Sequence, residues 1–395
     1  MTSLYSQKSD KEEVNIPKEK IISKNLPFQN FNKNSFNRNS SKIVEKSKTK
    51  ESLTRSLSEW KHVDFIHGPI TLSQHFSSKY NKMFYILGDI HERQKDCHVP
   101  RSAVVSNISK FLEETVKINE PRIIDIFLEV EFISKERPFR TKYLPRQGFL
   151  IDISSDWNDC LQIQKKLCKY KNLRMHYADI RRSGRHYTDV ETFEYLRESF
   201  ETLYYNLKRK QGQFRNLEDE EDFQADFGYT KDLIKKIDIK GLRKIVRELK
   251  IDKQLDAISN RDVREAIEET FLTNGFYNPE FFDILHTEIE PLVDEAYASP
   301  SSAFDNLHQI GLSFELLVIW EAFLMDAYLI ARAFRSFQIP EEDSRYIIIY
   351  VGEFHANRYR TFLDNILGFE RIATSADHQN QCIDLKSFSQ PFFWS

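Results

Sequence analysis

Apolar runs of strand length alternate with amphipathic stretches through the first half of the chain. Phe84-Tyr85-Ile86-Leu87 leads into Gly88-Asp89-Ile90-His91, and Ile123-Ile124-Asp125-Ile126-Phe127-Leu128 leads into Glu129-Val130-Glu131. Apolar runs that stop at glycine or at acids predict buried strands ending at a sheet edge. Residues 65–72 predict a short strand around a turn at Gly68-Pro69, and 173–179 predict a further strand. Between these runs, Val104, Val105, Ile108, Phe111, Leu112 and Val116 fall at helical spacing over 101–118, and a second helix is predicted over 156–170. A strand–helix–strand–helix–strand rhythm predicts an α/β fold, with a central, largely parallel sheet flanked by helices.

The pattern then changes. Residues 189–300 are helical in period, heavily charged and poor in strand signals, which predicts a helical insertion or lid, with two or three amphipathic helices over 229–272. A helix over 302–337 has an apolar body, Leu316, Leu317, Ile319, Trp320, Phe323, Leu324 and Tyr328. Tyr346–Val351 predicts the last strand, and a helix over 357–367 ends at Gly368, well placed as a cap. Residues 1–60 are rich in Ser, Asn and Lys and carry a basic excess, so they predict a disordered basic tail. The α/β domain therefore reads as two parts, 61–188 and 301–395, on either side of the insertion.

Composition narrows the function classes. Apolar residues make up 40 % of the 395, enough for a substantial core, and the net charge of −3 gives no strong nucleic-acid signal. No apolar run reaches membrane-span length and no signal-peptide core stands at the N-terminus, which predicts a soluble, intracellular, cytoplasmic protein. The four cysteines, Cys97, Cys160, Cys168 and Cys382, form no CxxC pair; the expectation is reduced thiols and no disulfide framework. Abundant Phe, Lys, Asn and Ile resembles the bias of an AT-rich genome such as that of a large DNA virus, for which a place in the virion is the alternative location.

The chemistry concentrates in a motif that occurs twice. Gly88-Asp89-Ile90-His91 and Gly352-Glu353-Phe354-His355 each follow an apolar strand with Gly, an acid, an apolar residue and His. Ligands of open α/β sheets gather at the carboxyl ends of the strands, so His91 and His355 are the leading catalytic candidates. Glu129 and Glu131, two apart on a strand, share a face, and Glu129 is the carboxylate expected beside the histidines. Asp89 and Glu353 are placed to orient a His, bind a cation or cap a helix. Asp179, Arg181 and Arg182 follow the 173–179 strand and predict either an ion pair or a binding site for an anionic group. Asp326, with Arg332 and Arg335, can reach the same region from the long helix. His67, His176 and His186 are weaker candidates. Nucleophile elbows, glycine-rich phosphate loops and His-Glu-x-x-His motifs do not occur.

Those residues in that order resemble the superfamily of erythromycin-esterase-like, ChaN haem-binding and TraB/Tiki proteins, through Gly88-Asp89-Ile90-His91, Phe127-Leu128-Glu129 and Gly352-Glu353-Phe354-His355. The resemblance covers roughly residues 80–370, apart from 189–297. It implies one pocket lined by His91, His355 and Glu129. Tiki-like members are metal-dependent peptidases, esterase-like members use His and Glu to activate water, and ChaN-like members bind haem. The expectation is a hydrolase of an ester, amide or peptide bond in a small molecule or peptide. Its water would be activated by His91, His355 and Glu129, with or without a divalent metal (Mn, Co, Zn or Fe) on those three residues. The alternatives are a module that binds haem or another small ligand, and a non-catalytic structural or host-interaction protein. The substrate and the oligomeric state stay open.

Overall fold

The computed structural model describes residues 60–90, 97–131, 149–161, 168–181, 188–210, 217–339 and 342–393, and all of them fall in one compact unit, Lys50–Ser395. The predicted basic tail, His91, Arg182, His186 and the side chain of Glu131 lie outside the described residues.

The fold is α/β. Strands β1 (Phe65–His67), β2 (Thr71–Ser77), β3 (Lys82–Asp89) and β4 (Val105–Asn107) precede helix α1 (Ile108–Ile118). Then come β5 (Ile124–Glu131), α2 (Phe149–Asp156), α3 (Asn158–Leu161) and β6 (Leu173–Asp179). The central sheet has six strands in the order β6-β5-β7-β3-β2-β8, where β7 is Tyr346–Gly352 and β8 is Glu370–Ala376. Strands β6, β5, β7 and β3 run parallel, and β2 pairs antiparallel with both β3 and β8. A small second sheet joins β4, β1 and β9 (Cys382–Asp384).

Strand alternation explains the two layers on the sheet. Tyr85, Leu87, Ile126, Leu128, Ile348 and Tyr350 point to the face covered by α1, α2 and the C-terminal Phe388, Phe392 and Phe393. Phe84, Ile86, Phe127, Ile347, Ile349 and Val351 point to the opposite face and share one apolar cluster with the helical insertion. That insertion begins with α4 (Thr188–Lys210) and α5 (Leu217–Ile234), followed by α6 (Ile239–Glu248), α7 (Ile251–Asp256) and α8 (Arg261–Ile267). It ends with α9 (Pro279–Ile284) and α10 (Glu290–Ala298). The long α11 (Leu307–Ala333) and α12 (Glu353–Thr361) complete this layer. Leu196, Phe200, Phe227, Phe271, Trp320 and Ala327 are all buried in it. The insertion is thus a wall of the core.

Several predicted boundaries shift. Residues 101–107 are not helical: Val105–Asn107 pairs with β1, and the helix starts after Asn107, whose side chain accepts from the Ser109 N–H. Of the helix predicted over 156–170, Asp156 is the last residue of α2 and Asn158–Leu161 is α3, while 162–167 lie outside the described residues and 168–170 are not helical. The helix predicted over 357–367 begins at Glu353, directly at the second motif. The cysteines depart from expectation altogether. Cys97 bonds Cys382 across a sequence separation of 285, and Cys160 bonds Cys168 across 8. Spacing could not reveal the first bridge, because the fold brings its two ends together.

Candidate functional site

Register places the carboxyl ends of the parallel strands side by side: Asp89 lies opposite Gly352, and Glu131 opposite Asp179. Helix α12 leaves this edge immediately after β7, so its first turn projects the second motif over the strand ends. The Gly352 N–H, at the positive end of the helix, donates to Glu129 Oε2 at 2.6 Å. Glu129 is therefore an acceptor for the start of the helix that carries His355.

Asp326 comes to His355 from α11. His355 Nδ1 lies 2.6 Å from Asp326 Oδ1, and Arg358 Nη1 donates to Asp326 Oδ2 at 2.7 Å. Asp326 is completely buried. Burial alone would raise its carboxyl, but His355 and Arg358 hold it below the usual range. A carboxylate only accepts, so Nδ1 carries the imidazole proton. The Arg358 guanidinium lies between the rings of Phe323, at 3.9 Å, and Phe354, at 4.2 Å. Burial, and next the charge of Asp326, push the Tyr359 hydroxyl well above its ordinary range.

The other nitrogen of His355 faces Glu129: Nε2 to Oε1 is 3.5 Å, an ion-pair distance too long for a good hydrogen bond. Arg181 Nη2 approaches the same Oε1 at 3.4 Å. Arg181 is itself gripped by Asp179, Nε to Oδ1 at 2.8 Å and Nη2 to Oδ2 at 2.9 Å. Burial would raise Asp179, yet Arg181 keeps it below the ordinary carboxylate range. A continuous polar chain thus runs Asp179–Arg181–Glu129–His355–Asp326–Arg358.

The predicted residues divide accordingly. His355, Glu129, Asp326, Asp179 and Arg181 come together. Asp89 does not join them, because alternation turns it to the α1 face, where it accepts from its neighbour Ile90 N–H (2.7 Å) and from the Tyr350 hydroxyl (3.2 Å). Glu353 sits on the far side of α12, paired with Arg360 Nη1 at 2.8 Å and bonded by the Thr71 hydroxyl. Gly88 makes room for it: a Cβ there would stand 1.8 Å from Glu353 Oε2 and 2.5 Å from Thr71 Oγ1. Arg332 turns away to His176, and Arg335 lies over the Phe337 ring. His67 packs edge-on against Phe149. Sequence reading missed Arg358 and Tyr359, although their i+3 and i+4 spacing from His355 puts all three on one helical face.

The expected metal centre is overturned. Among the described residues, no group of three His, Cys, Asp or Glu side chains is placed to hold a metal ion. Glu129 spends one oxygen on a backbone N–H and turns the other towards Arg181, while Asp326 spends its oxygens on His355 and Arg358. The carboxylates that would bind a cation already have cationic partners. The nitrogen of His355 that a haem iron would need, Nε2, faces the Glu129 carboxylate at 3.5 Å.

Two further buried His–Asp pairs lie on the same sheet. At the opposite edge, His176 Nε2 lies 2.7 Å from Asp125 Oδ1, and Arg332 Nε donates to Nδ1 at 3.1 Å. On β2, His75 Nδ1 lies 2.6 Å from Asp364 Oδ1 and Nε2 lies 2.9 Å from Ser73 Oγ. Both imidazoles use both nitrogens. Of the three, His355 alone has a ring nitrogen without a hydrogen bond among the described residues. No helix among the described residues is long and apolar enough to cross a membrane. No family model, no curated protein and no solved structure matches the chain.

Proposed function

We propose that the protein is a hydrolase in which His355 activates water without a metal. The observation that carries this reading is the open Nε2 of an imidazole whose Nδ1–H is fixed by a buried carboxylate, at the strand edge where α/β folds bind ligands. Asp326 sets the tautomer and stabilises the imidazolium once it forms, as the acid of a hydrolytic triad does. A water between Nε2 and an ester or amide carbonyl gives its proton to Nε2 as its oxygen attacks the carbon. The imidazolium then returns that proton to the leaving group. Glu129, held by the Gly352 N–H and flanked by Arg181, stabilises the positive charge on the ring. Phe354, 45 % exposed beside His355, offers an apolar contact for the substrate.

A panel of activated esters and amides tests this reading. The wild-type protein turns over at least one class, and His355→Ala, with an unchanged circular dichroism spectrum, loses about 10³-fold or more. A folded His355→Ala protein with full turnover would refute the assignment.

A further inference from the structure

The cysteine pairing points beyond the catalytic reading and does not depend on it. All four cysteines lie among the described residues, and each is paired. The Cys160–Cys168 bridge closes a short local loop, whereas Cys97–Cys382 ties the chain just past β3 to its last strand. Cys382 is 3 % exposed on β9, opposite His67 of β1. The sheet it staples is small, because β1, β4 and β9 have three residues each. Such short strands have few ladder bonds and little stability of their own. Around the bridge, the Gly68 N–H donates to Gln381 O at 2.9 Å and the Leu385 N–H to Asp64 O at 2.9 Å, so backbone bonds flank β9 at both ends. Cys97 is partly exposed, which leaves the bridge reachable by a soluble thiol.

We propose that Cys97–Cys382 is a redox-sensitive clasp on the β4-β1-β9 sheet and that the chain matures in an oxidising compartment. Disulfides persist in such compartments and are opened by cytosolic thiol pools. Opening is balanced: a dithiol gives two electrons and two protons to the bridge, leaving two cysteine thiols and one cyclic disulfide on the reductant. Closing the longer loop removes more freedom from the unfolded chain, so this bridge contributes more than Cys160–Cys168.

The test uses the full chain, secreted into oxidising medium and purified without reductant. Alkylation under denaturing conditions adds no group before reduction and four after it, and peptide mapping recovers Cys97 joined to Cys382. Dithiothreitol lowers Tm by about 10 °C. A Cys97→Ser/Cys382→Ser protein melts low from the outset and loses most of the reductant response, while a Cys160→Ser/Cys168→Ser protein keeps it. Alkylation of Cys97 or Cys382 before reduction, or a reductant shift below about 2 °C, overturns the proposal, as does a shift that belongs to the 160–168 bridge. The wild-type measurements decide the matter even where the double variant does not fold.

Discussion

The two edges of the parallel strands carry the same pair of residues in opposite states. At the amino-terminal edge, Asp125 accepts from Arg174 through both oxygens and from His176, and Arg332 fills the other nitrogen of that histidine. The group is closed, and it ties β5 and β6 to the end of α11 and to the loop after it, where Arg174 also donates to Glu342 O. At the carboxyl edge, Asp326 holds His355 just as tightly, but the second nitrogen faces a carboxylate across a gap. A buried His–Asp pair is therefore no mark of catalysis by itself. What separates scaffold from candidate site here is whether hydrogen bonding is complete.

The largest expected effect separates the edges by activity. Asp326→Asn removes the fixed tautomer and lowers turnover of any hydrolysed ester about 10³–10⁴-fold while the fold persists. Asp125→Asn leaves turnover by the folded protein close to wild type. Steady-state kinetics beside melting curves checks both.

Stability sharpens the contrast. Asp125→Ala strands a buried guanidinium and imidazole and costs about 3–5 kcal/mol in urea unfolding. A loss under 1 kcal/mol would show that the closed cluster is not a clasp.

Gly88→Ala comes next. The new methyl displaces Glu353 and Thr71 and costs about 1–3 kcal/mol. A variant as stable as wild type would mean that Glu353 has another place to sit.

The pH dependence is smallest. Asp125 is lowered to about 2 from 3.8: burial opposes this, and His176 and Arg174 outweigh it. Its contribution is complete above the unfolded value and is lost as pH falls from 3.8 towards 2, by about 2 kcal/mol. His176 and His75 are lowered by burial, so they stay neutral in the fold while the unfolded chain takes protons. Stability therefore begins to fall as pH drops below 6.5. In urea titrations across pH, His176→Gln flattens the first of these losses, and an unchanged slope would contradict the burial argument.

How far the sequence could be read follows from the same polar networks. The strands β3, β5, β6 and β7 were legible because their apolar residues are buried on both faces of the sheet, and the two glycine-terminated strands do end at one edge. Glu129, Asp326 and His355 were legible as acids and a histidine interrupting apolar elements. Strand β2 was not, beyond its first residues: Thr71, Ser73 and His75 look like a surface pattern, yet they are buried against Arg360 and Asp364. Arg358 and Arg360 were missed for the same reason. In a helix of low apolar content they read as solvated charges, whereas the fold buries both beside carboxylates. The disulfide partner of Cys97 stands so far along the chain that only the tertiary fold reveals it.

The central claim, that His355 keeps an open nitrogen while His176 and His75 do not, is tested most directly by acylation with diethyl pyrocarbonate, mapped residue by residue by mass spectrometry. Exposure and hydrogen bonding make opposite forecasts, since the His176 side chain is 10 % exposed and that of His355 only 7 %. The account predicts that His355 reacts fastest of the three and that His176 and His75 react only on unfolding. Faster modification of His176, or equal protection of all three, would contradict it.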